Sequence, residues 1–423
     1  MILYVKNQIL KNPKMNWAIA DQALVSGANF LTGIILARLL GLESYGVFTL
    51  AWLVVLFFNS LQLATIVQPM MSLSPKYEGE KLKEFYGSML YIQLLWIIIY
   101  LLVICIGIVF QNKFEYAARI SEYIIPVFSV LIAFQIQDFF RRLFFTLSKP
   151  GKAFLSDSIS YLGRILLFIL LYHLDNLTIT NVLYAITFVS LVAIVPALSI
   201  KTSIKMFHSH HPLNIKENFD FSKWLLGSAL LQWTTGNYFF VMAGMLLGPL
   251  AVGAVKACQN IIGITHILFQ AMENFVPSQA TKALRDGIGG LKKYLLKLVC
   301  LGGLGTGLII MTVVVFSEAL ITLVYGEEYT QYSYLMSWFG ILYFLSYLSL
   351  PIRAGLRSIE RNSVIFYGYI ISTAFSLLSA KPIVSSYGEL GVILGSILSQ
   401  LIILSVLGAC FLLYIVNFNR AKR

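Results

Sequence analysis

Two cations stand where a bilayer makes them costly. Arg164 lies in an apolar run over 153–172 and Lys256 in another over 249–275. A guanidinium binds phosphate oxygens in bidentate fashion and an ammonium binds them as a point charge. The chemistry open to such residues is therefore capture of an anion away from bulk water. An ionisable group in hydrocarbon should face protein or a wet cavity, and the neighbouring residues form suitable faces. Lys256, Asn260, Gly263, Gln270 and Asn274 recur at i, i+4, i+7, i+14 and i+18, and Asp157, Tyr161 and Arg164 follow the same rule. Gln22, Ser26, Asn29 and Gly33 form a third stripe, answered by Ser228, Gln232 and Thr235. Two readings stand for the uncharged stripes. They line one hydrated cavity, or they make the helix–helix hydrogen bonds usual for Asn, Gln, Ser and Thr in membranes. Arg164 has an alternative role in an internal ion pair with Asp157, two turns away. Lys256, about two turns from the end of its run, has an alternative in reaching the surface.

Four acids are embedded as well: Asp21, Asp138, Asp157 and Glu273. Asp21, Asp157 and Glu273 are candidates for holding a proton or sodium ion, or else they cap and pair. Arg38, about 180° around its helix from Asn29, is a further candidate ligand or an interfacial anchor. No metal site is expected. His208, His210 and His211 fall in a polar linker without partner cysteines, and the four cysteines lie in apolar runs as small core residues. The glycine-rich run 302–307 has no strand before it and reads as helix packing, so no nucleotide loop and no cofactor are expected.

The elements that position these groups follow from composition. Of 423 residues, 58% are hydrophobic and only 12% charged, and the mean hydropathy is +0.80. That is about half the charge of a soluble domain. Runs of 18 residues or more recur without the alternation a membrane barrel requires. The chain reads as an all-α integral membrane protein with twelve spans near 17–40, 45–72, 87–110, 120–140, 153–172, 178–199, 224–246, 249–275, 294–316, 332–351, 363–380 and 389–416. Of the 31 Lys and Arg residues, 25 fall on the side of the N-terminus, so the positive-inside rule makes both termini cytoplasmic. This distribution accounts for the net charge of +12 without nucleic acid. No cleavable signal is expected, because the basic start runs into a long span. The expected organisation is an N-terminal segment (1–16), an N-lobe of spans one to six (17–199), a cytoplasmic linker (200–223), a C-lobe of spans seven to twelve (224–416) and a basic tail (417–423).

A repeat supports two lobes. Leu39-Leu40-Gly41 followed by Gly46 recurs as Leu246-Leu247-Gly248 followed by Gly253, shifted by 207 positions. Gln68-Pro69 is echoed by Val276-Pro277 at 208, and Arg141 through Lys149-Pro150 by Arg353 through Arg361-Asn362 at 212. Six spans separate the copies, which gives two pseudosymmetric six-helix lobes in parallel topology around a central cavity, the arrangement alternating access uses. The first glycine of each signal reads as part of a tight turn between spans.

The run "ARLLGLESYGVFTLAW" (37–52), the following span ending in Gln68-Pro69 and the basic turn "RRLFFTLSKPGKA" (141–153) resemble the polysaccharide transport family. These are flippases for lipid-linked oligosaccharides, including Wzx-type O-antigen flippases, in the superfamily that also holds multidrug extrusion pumps and lipid II flippases. The resemblance implies a bacterial inner-membrane protein that moves an undecaprenyl-pyrophosphate-linked oligosaccharide to the outer leaflet. The glycan would serve O-antigen and lipopolysaccharide, capsule or exopolysaccharide assembly. Its partners would be that lipid carrier, membrane lipids, a proton or sodium ion, and polymerase machinery. Arg164 and Lys256 then become the expected pyrophosphate ligands, with Asn29, Tyr161, Gln232, Asn260 and Gln270 lining the cavity. A cation-coupled multidrug pump is the nearest alternative, although the deep cations favour an anionic substrate. A membrane-embedded O-antigen polymerase or ligase is the alternative of another class. The short outward loops disfavour it, and the expectation is transport without enzymatic change.

Overall fold

Hydrocarbon offers no hydrogen-bond partners, so a chain this apolar must satisfy its backbone internally. All regular structure among the described residues is accordingly helical. The computed structural model describes residues 13–110, 115–205 and 215–421, with side chains omitted at 104–110, 115–121, 215–216, 267, 271, 274 and 417–421. The histidine trio of the linker lies outside the described residues, and so does the side chain of Asn274.

The spans run Pro13–Leu40, Leu42–Lys76, Gly79–Phe110, Glu115–Thr146, Pro150–His173 and Ile179–Ser203, and then Ile215–Leu246. The eighth is broken into Pro249–Ile262 and Thr265–Leu284, and the ninth runs Gly287–Val315. The short helix Ser317–Tyr325 follows, and the tenth span is Leu335–Ser358. The eleventh and twelfth spans occupy Asn362–Ala421 and meet at Gly388, whose φ is 57°. Among the described residues nine helices are long and apolar enough to cross a membrane, and the one over Asn362–Val416 holds two spans. Spans seven and eight are not among those nine: one is too polar, the other polar and interrupted. Both carry cavity residues, as shown below.

The chain divides into two compact units. One comprises Met1–Leu40 and Ala51–Leu230, the other Gly41–Leu50 and Leu231–Arg423. The division thus falls inside span seven, beyond the 200–223 linker.

The duplication is visible bond by bond. After span four, Leu147 N donates to Leu143 O, Ser148 N to Phe145 O and Lys149 N to Phe144 O at 2.8–2.9 Å. After span ten, Ile359 N donates to Gly355 O, Glu360 N to Arg357 O and Arg361 N to Leu356 O at 2.9–3.2 Å. Every donor and acceptor is shifted by 212, and the left-handed residues of the two turns, Ser148 (φ 56°) and Glu360 (φ 59°), correspond as well.

The two glycines of the first repeat do different work. Gly41 (φ 82°) and Gly248 (φ 91°) adopt the left-handed backbone that lets one span turn tightly into the next. Gly46 and Gly253 instead meet each other inside the second unit. A Cβ on Gly46 would overlap the carbonyl of Pro249, and one on Gly253 would overlap the carbonyl of Leu42 and lie 3.1 Å from Gly46 N. Positions 42 and 46 shifted by 207 become 249 and 253, so each contact is the image of the other. Because the obstacle is backbone, no rotamer change relieves it. Gly46→Ala is expected to cost about 1–3 kcal/mol by overpacking, read as a lower thermal midpoint of purified protein. Gly27→Ala, where a Cβ meets nothing within 4 Å, is the control and should leave the midpoint unchanged.

Candidate functional site

In the first unit, Arg141 gathers three carboxylates from three spans. Span four continues as helix to Thr146, so this arginine lies within the helix and is buried, although its place beside Arg142 reads as a basic loop. Its Nη2 lies 2.8 Å from Asp21 Oδ2 of span one, and its Nη1 lies 3.8 Å from Asp138 Oδ1 one turn earlier. Its Nε donates to Asp157 Oδ2 of span five. Gln137 Nε2 donates to the other Asp157 oxygen at 2.9 Å, and Arg142 Nε approaches Asp138 Oδ1 at 3.4 Å. Three carboxylates face two guanidiniums, one of them only partly buried. Asp21 Oδ1 and Asp138 Oδ2 accept from no protein donor.

Arg164 does not pair with Asp157, whose partners are Arg141 and Gln137. A π-helical turn, Ser158–Leu162, separates the two residues and breaks the α-helical phase that would align positions seven apart. Arg164 instead lies over the Tyr161 ring, its Cζ 3.9 Å from the centroid, and Nε donates to Ser160 O at 3.3 Å. It is 1% exposed, and its Nη2 has no hydrogen-bond partner.

The second unit holds a cavity with a polar wall. Spans seven, eight, ten, eleven and twelve enclose a cavity of about 520 Å3. Gln232, Thr235 and Gly236 line it from span seven, and Gln259, His266, Gln270 and Glu273 from span eight. The break after Ile262 lies between Gln259 and His266, and Gly263 N closes it by donating to Gln259 O at 2.8 Å. Arg353 of span ten meets Glu273 at 3.3 Å and Tyr369 Oη at 3.4 Å. Arg353 and Tyr369 are the positions of Arg141 and Asp157 shifted by 212. The same arginine hub thus holds a carboxylate cluster in one repeat and edges a cavity in the other.

Of the residues expected to act from sequence, Gln232, Gln270 and Glu273 line this cavity. Lys256 is half-buried behind it. Its Nζ donates to Gln259 Oε1 at 2.8 Å and lies 5.9 Å from the Phe240 ring, and both partners line the cavity. Asn260 is turned elsewhere, donating to Tyr45 Oη at 2.9 Å. Asn29 and Arg38 are exposed on span one, while Tyr161, Arg164, Asp21 and Asp157 belong to the buried cluster of the first unit. Sequence reasoning missed Arg141 and Arg353 as hubs. The available signal was an arginine at the end of the fourth span of each half, in a lobe carrying more embedded acids than embedded bases.

These features define a class: a multi-pass, all-helical membrane protein made of two duplicated six-span halves, with an ionic core in one half and a polar cavity in the other. The chain belongs to the polysaccharide biosynthesis protein family, which matches residues 14–272. An inward-facing multidrug resistance MATE family transporter of the MOP superfamily is similar in fold. Its TM-score is 0.77 at 14% identity, over 96% of this chain and 100% of that one. The lipid II flippase MurJ, in an inward closed conformation, has a TM-score of 0.66 at 11% identity over 93% of this chain and 86% of that one. A MOP superfamily transporter from Pyrococcus furiosus has a TM-score of 0.63 at 15% identity over 98% of each chain. At these identities the likeness concerns the fold. No curated protein matches the chain.

Proposed function

We propose that this protein is a flippase for undecaprenyl-pyrophosphate-linked oligosaccharide repeat units, working by alternating access in the bacterial inner membrane with both termini cytoplasmic. The observation that carries this reading is the polar cavity of the second unit, with Lys256 against its wall through Gln259. The glycan occupies the cavity, and the diphosphate is drawn to the deep cations Lys256 and Arg164 as the head group crosses. Family membership and the fold likeness to a lipid II flippase support the same reading. Asp21 and Asp157, buried and both bonded to Arg141, are the candidates for holding a coupling proton or sodium ion in the first unit. The protein moves its substrate and leaves every glycosidic bond intact, and the glycan goes on to polymerase machinery for surface polysaccharide.

The test is reconstitution. Purified protein in liposomes should move a fluorescent undecaprenyl-pyrophosphate oligosaccharide between leaflets, with the glycan recovered at its original length. A lengthened glycan would move the assignment to a polymerase. Transport of cationic dyes with no movement of the lipid would favour the multidrug reading, for which the likeness to a MATE transporter is the supporting observation.

A further inference from the structure

The cavity of the second unit has a wall whose charges cancel. Among the described residues its one acid, Glu273, and its one arginine, Arg353, lie 3.3 Å apart and face each other. His266 is the imidazole of the wall. The rest of the polar wall is amide and hydroxyl. Gln400 Nε2 donates to Ser349 Oγ at 3.0 Å and Thr235 shares a hydroxyl contact with Thr373 at 3.0 Å, so these groups already sit in hydrogen-bonding geometry. Between them stand ring faces, Phe269 and Tyr343, with centroids 6.2 Å apart. The volume of about 520 Å3 lies within the usual range for small-ligand sites.

We infer that this cavity is a pocket selective for uncharged sugar residues, within the transport reading above and resting on it for the class of ligand. A sugar offers hydroxyl and acetamido groups to amides and hydroxyls, and a C–H face to an aromatic ring. A uronate would bring a carboxylate to a wall whose arginine among the described residues, Arg353, is already engaged by Glu273, so it would shed part of its hydration without gaining a charge partner. A hexosamine ammonium would meet the mirror problem, since Glu273 is engaged by Arg353. Lys256, which among the described residues has no carboxylate partner, stands behind Gln259 and not in the wall. The pocket therefore separates the two ends of the substrate, with neutral glycan inside and the anionic linkage outside.

The experiment measures binding of free oligosaccharides to the detergent-purified full chain by saturation-transfer NMR and calorimetry. The probes are a neutral tetrasaccharide of hexose and N-acetylhexosamine, and the same tetrasaccharide with one hexose oxidised to its uronate. Wild type should prefer the neutral probe by about tenfold or more. Gln270→Leu and Gln400→Leu should each weaken it about tenfold by leaving sugar hydroxyls unpaired. Glu273→Gln keeps the side-chain shape and releases Arg353, so it should shift the preference toward the uronate. Equal affinity of wild type for both probes, no binding of either, or an unchanged preference in Glu273→Gln would overturn the inference. Glycan binding that depends on Gln270 in a protein that flips no lipid would sink the transport reading and leave this one standing. Flipping of neutral and acidic lipid-linked glycans at equal rates would do the reverse.

Discussion

Arg141→Met is expected to remove most of the folded protein from the membrane. Arg141 is the shared partner of Asp21, Asp138 and Asp157, drawn from spans one, four and five. Its loss leaves three buried carboxylates with only the partly exposed Arg142 nearby. Removing one member of a buried pair costs about 3–5 kcal/mol, a large share of the roughly 5–15 kcal/mol that separates folded from unfolded chains. The echo in the second repeat predicts a contrast. Arg353→Met strands only Glu273, whose side chain is 46% exposed and borders the cavity, so the protein should remain abundant. Abundance of a fluorescent fusion and the thermal midpoint of the purified protein decide the matter. Asp157→Asn combined with Asp21→Asn should restore part of the Arg141→Met loss, because the stranded charges are then gone. An Arg141→Met protein as abundant and heat-resistant as wild type would show that the cluster does not hold spans one, four and five together.

The sequence made the fold legible because the bilayer constrains it so strongly. Twelve apolar runs, the charge asymmetry between their ends and three echoes at nearly one offset left little freedom in the architecture. The echo at 212 was more informative than a spacing match suggests, since every hydrogen bond of the two turns is shared. Local chemistry was harder to read. Helical periodicity put Asp157 and Arg164 on one face, but a single π turn, with no distinctive residue to announce it, separated them. Periodicity also grouped Asn260 with Gln270, whereas Asn260 faces Tyr45 and Gln270 faces the cavity. The break after Ile262 lies between them, and only Gly263 hints at it. Arg141 read as a loop residue because basic pairs at span ends are common, and nothing local said that the helix runs to Thr146. Hydropathy carried one further signal in reverse: the two spans too polar or too broken to look like ordinary membrane helices both line the cavity, beside spans ten, eleven and twelve.

Arg164→Gln is expected to behave oppositely to Arg141→Met. Both residues are buried arginines, but Arg164 has no carboxylate partner, only the Tyr161 ring and the Ser160 carbonyl, and its Nη2 is unsatisfied. Removing such a cation relieves a buried charge and strands none, so the variant should fold and insert at wild-type levels with an equal or higher thermal midpoint. On the transport reading proposed above, a cation kept in that setting at the expense of stability would serve as a ligand for the phosphate charge of the lipid head group away from water. Lys256→Gln is the companion, since its Nζ hydrogen-bonds Gln259 at the cavity wall. Each substitution removes a charge-assisted contact, so each should slow flipping of the undecaprenyl-pyrophosphate oligosaccharide in liposomes by about 10- to 100-fold. Lys256→Arg should retain more of the rate than Lys256→Gln, because it keeps the positive charge. A loss of protein level matching the loss of flipping would make Arg164 a packing residue. Normal levels with wild-type flipping in both glutamine variants would end the role proposed for the two cations.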